Sequence, residues 1–248
     1  MESKIAVVTG VSHSQGIGAA VCRELAKKGI DVFFTYWMAN ETWPGGFRKE
    51  LEQKGIQSDC MEVNLALPEA ASKVLAEAKS RIGIPTILVN NAAQSTRDGF
   101  EQLDAQILDA HYAVNMRATM LLCAGFSRML RDTQLNSGRI INLISGQGQG
   151  PMVKELAYGS TKGAISAFTL SLSAEVAPLG ITVNAVNPGP TNTGWMTDEL
   201  KAEIAPKFLM GRLGEPADAA RLITFLASEE AAWITGQVIH SEGGFTRR

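Results

Sequence analysis

The sequence predicts an α/β fold, a doubly wound, seven-stranded parallel sheet with helices on both faces. Three observations carry that prediction. Short β-branched runs alternate with longer amphipathic segments along the 248 residues. Several runs are apolar at consecutive positions, as expected of strands covered on both sides. The first run ends in a glycine-rich turn that opens directly into a helical segment.

The first strand is expected at Ile5-Ala6-Val7-Val8. A helix over Ala19 to Lys28 follows the turn, with Gly29 as its C-terminal cap. Val32 to Thr35 and Met61 to Val63 are the next strands, and a helix over Glu69 to Ile82 leads to Ile87-Leu88-Val89. One long helical period covers Leu103 to Leu130 before the fifth strand, Ile140 to Ile144. Ala157 to Ala177 is helical, Gly180 caps it, and Ile181 to Val186 is the sixth strand. Asn187 to Gly214 shows no period and is too long for an ordinary connection, which suggests a lid. Pro216 suits the first turn of a helix ending at Ala227, and Val238-Ile239 is the last strand. No repeat, low-complexity tract or linker interrupts the series, so residues 1–248 read as a single domain.

Composition narrows the function. The chain is 45% hydrophobic and 19% charged, with a formal net charge of −2. No basic run or face is present, which argues against nucleic acid and anionic membrane surfaces as partners. Met1-Glu2-Ser3-Lys4 leads straight into a strand with no signal-peptide pattern, and no apolar run approaches the ~20 residues of a membrane span. Cys22, Cys60 and Cys123 are far apart, odd in number, and form neither a metal-ligand spacing nor a redox pair. No metal site is expected, and a reducing, cytoplasmic setting fits.

The chemistry centres on Ala157-Tyr158-Gly159-Ser160-Thr161-Lys162. Positions i and i+4 share a helix face, so Tyr158 and Lys162 project side by side. An ammonium beside a phenol favours phenolate and is expected to lower a pKa that starts near ~10. Ser145, thirteen residues earlier at a strand end, is placed to hold a substrate oxygen against that phenol. Such a trio moves a proton on and off an alcohol or carbonyl. Taken alone, Tyr-x-x-x-Lys is more often merely an amphipathic pair.

The turn Thr9-Gly10-Val11-Ser12-His13-Ser14-Gln15-Gly16-Ile17-Gly18 adds a nucleotide. Glycine lets the backbone approach a phosphate, and free N–H groups at a helix start attract its charge. Its place after the first strand of an alternating chain is the context that supports this reading.

In these residues the chain resembles the short-chain dehydrogenase/reductase family, over nearly its whole length. The family pattern is a Thr-Gly-x-x-x-Gly-x-Gly turn, an Asn-Asn-Ala-Gly segment, a helical Asn, a Ser, Tyr-x-x-x-Lys and a Pro-Gly pair after the sixth strand. It is matched by Thr9 to Gly18, Asn90-Asn91-Ala92-Ala93, Asn115, Ser145, Tyr158 with Lys162, and Pro188-Gly189. The resemblance implies a Rossmann fold, a nicotinamide cofactor and interconversion of a carbonyl with a secondary alcohol. It implies Tyr158 as general acid or base and Lys162 as the group that lowers its pKa and holds the nicotinamide ribose. Ser145 then polarises the carbonyl, and Asn115 steadies a relay water. Cofactor contacts follow at Thr9, Gly10, Ser12, His13, Gly16, Ile17 and Gly18, at Tyr36 and Trp37, and at Asn64 and Leu65. Asn91, Ala92, Ala93, Pro188, Gly189, Thr191 and Thr193 complete that set. Three departures stand out: the glycine turn is two residues longer, Ala93 replaces a glycine, and Asn64 replaces an Asp.

NAD-type sites place a carboxylate at the end of the second strand. Here that end is Thr35-Tyr36-Trp37-Met38, without an acid. NADP(H) is therefore favoured over NAD(H), with Ser12, His13 or Arg48 available to the extra phosphate. Gln94, Ser95, Gln147, Met152, Leu156, Trp195 and Met196 are the candidates for the substrate wall, since ligands bind at the carboxyl ends of such strands.

The leading expectation is a carbonyl reductase or alcohol dehydrogenase acting on a small-molecule carbonyl or alcohol. The alternative is a 3-oxoacyl-thioester reductase, on acyl-carrier protein or coenzyme A, because bacterial 3-oxoacyl-[acyl-carrier-protein] reductases look similar. Ala177-Pro178-Leu179-Gly180 lacks the basic residues that would meet an acidic carrier protein, although Arg128 and Arg131 lie on the neighbouring helix. A non-catalytic nucleotide sensor would not need the full Asn/Ser/Tyr/Lys set. Enoyl reductases space their Tyr and Lys more widely. The family resemblance also implies a homotetramer.

Overall fold

The computed structural model describes residues 4–133 and 135–247; Met1-Glu2-Ser3, the lead-in to the first strand, lies outside them. The apolar runs become seven parallel strands: β1 (Ile5–Val8), β2 (Asp31–Tyr36), β3 (Ser58–Glu62), β4 (Ile87–Asn90), β5 (Gly138–Leu143), β6 (Ile181–Asn187) and β7 (Val238–His240). Their order across the sheet is β3-β2-β1-β4-β5-β6-β7. The chain reverses its direction of travel between β1 and β4, which pair through Ala6 with Ile87 and Val8 with Val89. That junction is the topological switch point, where such sheets bind ligands.

The helices are α1 (Ile17–Lys27), α2 (Trp43–Glu52), α3 (Ala70–Arg81), α4 (Ala105–His111), α5 (Thr119–Arg131), α6 (Leu156–Val176), α7 (Asp198–Ile204) and α8 (Pro216–Leu226). Two cores lie on opposite faces of the sheet, because successive strand residues point to opposite sides. Ala6, Val8 and Phe34 pack with Leu25 of α1, Phe47 of α2 and Ile223 of α8. Val7 and Phe33 pack with Val74 of α3, Phe126 of α5 and Leu172 of α6. Consecutive apolar strand residues are thus both buried, as the sequence pattern required.

Four differences from the sequence reading have physical causes. α2 begins Trp43-Pro44-Gly45-Gly46, which looks like a turn, but Pro occupies its first turn and Phe47 and Leu51 anchor one face. α7 forms inside the segment expected to be irregular, with Thr197 Oγ1 accepting from Leu200 N at 3.3 Å as its N-cap. The long helix over 105–131 contains a π-helical stretch, Tyr112–Ala118, centred near Asn115. β3 starts three residues earlier than expected, pairing with β2 through Val32 and Ser58. Gly29 and Gly180 end their helices at φ +72° and +69°, left-handed positions that favour glycine. Among the described residues, no helix is long and apolar enough to cross a membrane, and no cluster of three or more His, Cys, Asp or Glu side chains is placed to hold a metal.

Candidate active site

The turn after β1 is fixed by close backbone approach. Gly10 has φ +74°, and a Cβ there would lie 2.6 Å from Ala92 Cα. A Cβ on Gly18 would lie 2.7 Å from Asn91 Nδ2. That amide donates to Thr9 O at 2.8 Å and Gly10 O at 2.9 Å. Thr9 Oγ1 in turn accepts from Asn91 N at 3.0 Å and Ala92 N at 3.1 Å. The ends of β1 and β4 are thereby stitched together, with Thr9 and Gly18 behind the wall they support. Gly16 heads α1 without a side-chain cap, which leaves first-turn N–H groups for an anion.

A cleft of about 640 Å³ opens at this junction. Gly10, Ser12, His13, Gly16, Ile17, Tyr36, Trp37, Asn64, Leu65, Asn91, Ala92, Ala93 and Thr193 line it, as expected of a dinucleotide site. Thr35, Val63, Ala66, Gln94, Ala110 and Val114 also line it, and the motifs did not single out these residues as cofactor contacts. The longer glycine turn leans on the segment after β2: Trp37 N donates to Ser12 Oγ at 3.2 Å, and Trp43 Nε1 donates to Val11 O at 3.0 Å. Asn64 Oδ1 accepts from Ala66 N at 2.9 Å. Thr191, on the Pro188-Gly189 loop, is buried and donates into its own loop at Pro188 O or Gly189 O, each 3.2 Å away.

Two features of this region correct the sequence reading. Arg48 does not face the cleft; its guanidinium lies 3.5 Å from Glu52 and 3.6 Å from Asp59. β2 itself ends without an acid, but Glu62, from the end of β3, lies beside that end and accepts from Met38 N at 3.2 Å. Strand pairing puts Tyr36 beside Glu62, a neighbour that distance in the chain conceals.

The groups expected to transfer the proton sit just past β5 and at the start of α6. Ser145 starts the short turn over Gly146–Gln149, and its hydroxyl lies near enough to the Tyr158 phenol to draw that group's pKa down. Lys162 is buried, and its Nζ donates to Leu143 O at 2.7 Å. Burial pulls its pKa down to about 8. Tyr158 moves the other way: burial first, and then the charge of Glu155, push its phenol up to about 12, against the smaller pull of the nearby Ser145 hydroxyl. The expected lowering of the Tyr158 pKa by Lys162 is therefore not what the structure shows. The ammonium lies 5.5 Å from the ring centroid and is drawn to a strand-end carbonyl, so burial dominates.

Asn115 occupies the π-helical stretch and is buried. Its Oδ1 accepts from Gln94 N at 2.7 Å, and its Nδ2 donates to Gln94 O at 2.9 Å and Thr161 Oγ1 at 3.0 Å. The amide thus ties the segment after β4 to α6. Asp98 adds a second tie: its carboxylate accepts from Leu156 N at 2.6 Å and Ala157 N at 2.8 Å and caps α6. No sequence signal exposes this role, because cap and helix are far apart in the chain.

The expected substrate wall is split. Gln94 lines the cofactor cleft. Gln147, Met152 and Leu156 line a second cavity of about 490 Å³ at the start of α6. Ser95 is exposed and lines neither. Trp195 is half exposed and donates through Nε1 to Thr191 O at 3.1 Å. Met196 is corrected from a wall residue to a core one, buried with Ile204 and Phe208 in a small core of the 188–214 segment.

The chain matches the family model described as enoyl-(acyl carrier protein) reductase over residues 10–246. It is 55% identical to the Bacillus subtilis (strain 168) oxidoreductase YjdA, over 99% of this chain and 98% of that one. It is 33% identical to the 3-oxoacyl-[acyl-carrier-protein] reductase FabG of Staphylococcus aureus (strain Mu50), over 98% of each. Among solved structures it resembles a blue fluorescent protein from a metagenomic library in complex with NADPH, with a TM-score of 0.87 and 29% identity over 98% of each chain.

Proposed function

The chain belongs to the short-chain dehydrogenase/reductase family, and from that premise we propose that it is an NADP(H)-dependent reductase of a carbonyl to a secondary alcohol. The observation that carries the proposal is Tyr158 with buried Lys162 at the start of α6, the ammonium 5.5 Å from the ring centroid, and Ser145 just past β5 close enough to act on the phenol. The cleft fits such a cofactor: its volume suits a dinucleotide, Gly10 leaves no room for a Cβ, and α1 offers free N–H groups. NADP(H) is put forward because β2 itself ends without an acid and because the NADPH-bound protein above shares this architecture. Glu62 is the neighbouring group that opposes a 2′-phosphate.

When bound, the cofactor supplies the hydride. The protein's part is to place and protonate the carbonyl oxygen. Ser145 donates a hydrogen bond to that oxygen, and Tyr158, protonated at neutral pH, delivers the proton as negative charge develops there. Lys162 holds positive charge behind the phenol, and the family resemblance gives it the nicotinamide ribose to bind. Asn115 and Asp98 keep α6 in register with the segment after β4.

The i,i+4 spacing of Tyr158 and Lys162 favours carbonyl over enoyl reduction. The FabG relative supports a 3-oxoacyl thioester as an alternative substrate, and the second cavity beside Gln147 and Leu156 gives an apolar chain somewhere to lie. The family expectation of a homotetramer is kept, with exposed Leu170 and Trp233 as surface to cover; light scattering reports the mass.

The test is NADPH consumption across small ketones and acetoacetyl thioesters, with Tyr158→Phe as control. Turnover should fall by on the order of 10²–10⁴ in that variant while NADPH still binds. Near-normal turnover in Tyr158→Phe would refute the assignment.

A further inference from the structure

The segment after β7 runs back beneath the site. Ser241 N donates to Asn187 O at 2.8 Å, and Gly243 and Gly244, at φ +58° and +70°, turn the chain towards the lid. Phe245 pairs with Phe208 as an antiparallel bridge, the two rings 4.9 Å apart. Thr246 N donates to Lys207 O at 2.9 Å, and Met210 N donates to Gly243 O at 3.2 Å. One side of this tail is therefore fastened to the lid.

The other side reaches the loop that carries Ser145. Arg247 makes a two-point pair with Glu242, at 3.1 Å and 2.7 Å. Glu242 is buried and also accepts from Asn187 Nδ2 at 2.8 Å. That Nδ2 lies 3.0 Å from Gln149 Oε1, at the far end of the Ser145 turn. Glu242 also packs so closely on Gly189 that a Cβ there would come within 2.4 Å. The Arg247 guanidinium lies over Gly146, where a Cβ would sit 1.8 Å from a terminal nitrogen, and its stem passes Gly150. An arginine whose charge is met by a two-point carboxylate pair suits support rather than ligand binding.

We propose that Arg247 is a positioning residue for Ser145: paired with Glu242 and laid against Gly146, it holds the catalytic turn in the same frame as the Pro188-Gly189 loop and the lid. The clasp deepens the reductase reading and rests on it for its kinetic consequence. Ser145 must meet both the Tyr158 phenol and the substrate oxygen, so a loosened turn weakens proton transfer without removing the cofactor. Misplacement by ~1 Å costs on the order of 10²-fold when geometry is limiting.

The experiment compares Arg247→Gln and Arg247→Lys in wild-type and Ser145→Ala backgrounds, and adds hydrogen exchange of the peptides covering 144–150 and 205–210. Arg247→Gln should lower kcat by about 10- to 100-fold, with the NADPH Kd from fluorescence within about twofold of wild type. Arg247→Lys keeps the charge but loses the planar pairing, so it should recover part of the loss. In Ser145→Ala, Arg247→Gln should cost less than about twofold, because residues acting as a unit are not additive. An equal loss in both backgrounds, or full activity in Arg247→Gln, overturns the proposal. Exchange in both peptides should rise in Arg247→Gln while that of α1 stays unchanged. Unchanged exchange at 144–150 overturns the clasp whether or not any carbonyl is reduced. A wild-type enzyme silent on every carbonyl overturns the reductase reading instead, and the exchange data still decide the clasp.

Discussion

Lys162 is a charge held where charge is disfavoured, and its removal should stabilise the fold while disabling the enzyme. Burial brings its pKa from 10.5 to about 8. At 1.36 kcal/mol for each factor of ten in proton affinity, that is a penalty on the order of 3 kcal/mol for keeping the ammonium charged below pH 8. The sign follows from proton counting. Between about pH 8 and 10.5 the unfolded chain keeps the proton and the native chain does not, so this group's contribution rises with pH across that window. Lys162→Met removes the penalty and also loses the hydrogen bond to Leu143 O, worth ~1–2 kcal/mol. The expected net gain at pH 7 is ~1–2 kcal/mol, a few degrees in Tm for a chain of this size. Urea unfolding of both proteins at pH 7 and pH 10.5 measures it. The variant should lead at pH 7, and the gap should close or reverse at pH 10.5. A variant less stable at pH 7, or a gap that does not change with pH, would refute the reasoning.

Three other outcomes are expected. Reduction should keep its proton donor across the neutral range and decline as pH passes about 8, where Lys162 loses its charge, whereas alcohol oxidation should climb towards the Tyr158 value near 12; pH–rate profiles in both directions read this out. Asp98→Ala strips two N–H acceptor contacts from the start of α6 and should cost ~1–2 kcal/mol in urea unfolding, with a larger KM than kcat effect if the α6 terminus shifts. Glu62→Gln removes the carboxylate beside Met38 and should lower the KM for NADPH by about two- to fivefold, with little change for NADH; the effect is small because Glu62 is solvent-exposed.

Much of this was legible because it is written locally. Strands covered on both faces appear as consecutive apolar residues, and Gly10 declares a left-handed turn against a neighbouring backbone. What stayed hidden depends on contacts that only the folded sheet creates. Glu62 reaches the end of β2 because β3 lies alongside it. Asp98 caps a helix that starts 58 residues later. α2 was masked by Pro44, Gly45 and Gly46, whose local preference for a turn is overridden by Phe47 and Leu51 in the core. Met196 shows the converse error: a large apolar side chain in a lid segment was equally compatible with a substrate wall, and α7 gives it a core of its own.

The reversal at Tyr158 shows where sequence logic ends and energetics begins. Helical spacing correctly makes Tyr158 and Lys162 neighbours, yet adjacency alone does not decide a pKa, because the burial that brings the two together also penalises the charge on each. Here the ammonium is anchored by Leu143 O on β5, so its position is set by the strand end rather than by the phenol. Both groups consequently shift towards neutrality, the phenol to about 12 and the ammonium to about 8. At neutral pH nearly every molecule then carries the phenolic proton that the proposed reduction uses, while oxidation through Tyr158 would begin from a small phenolate fraction. Burial, and not the charge on Lys162, is thus what holds the phenol in its protonated form.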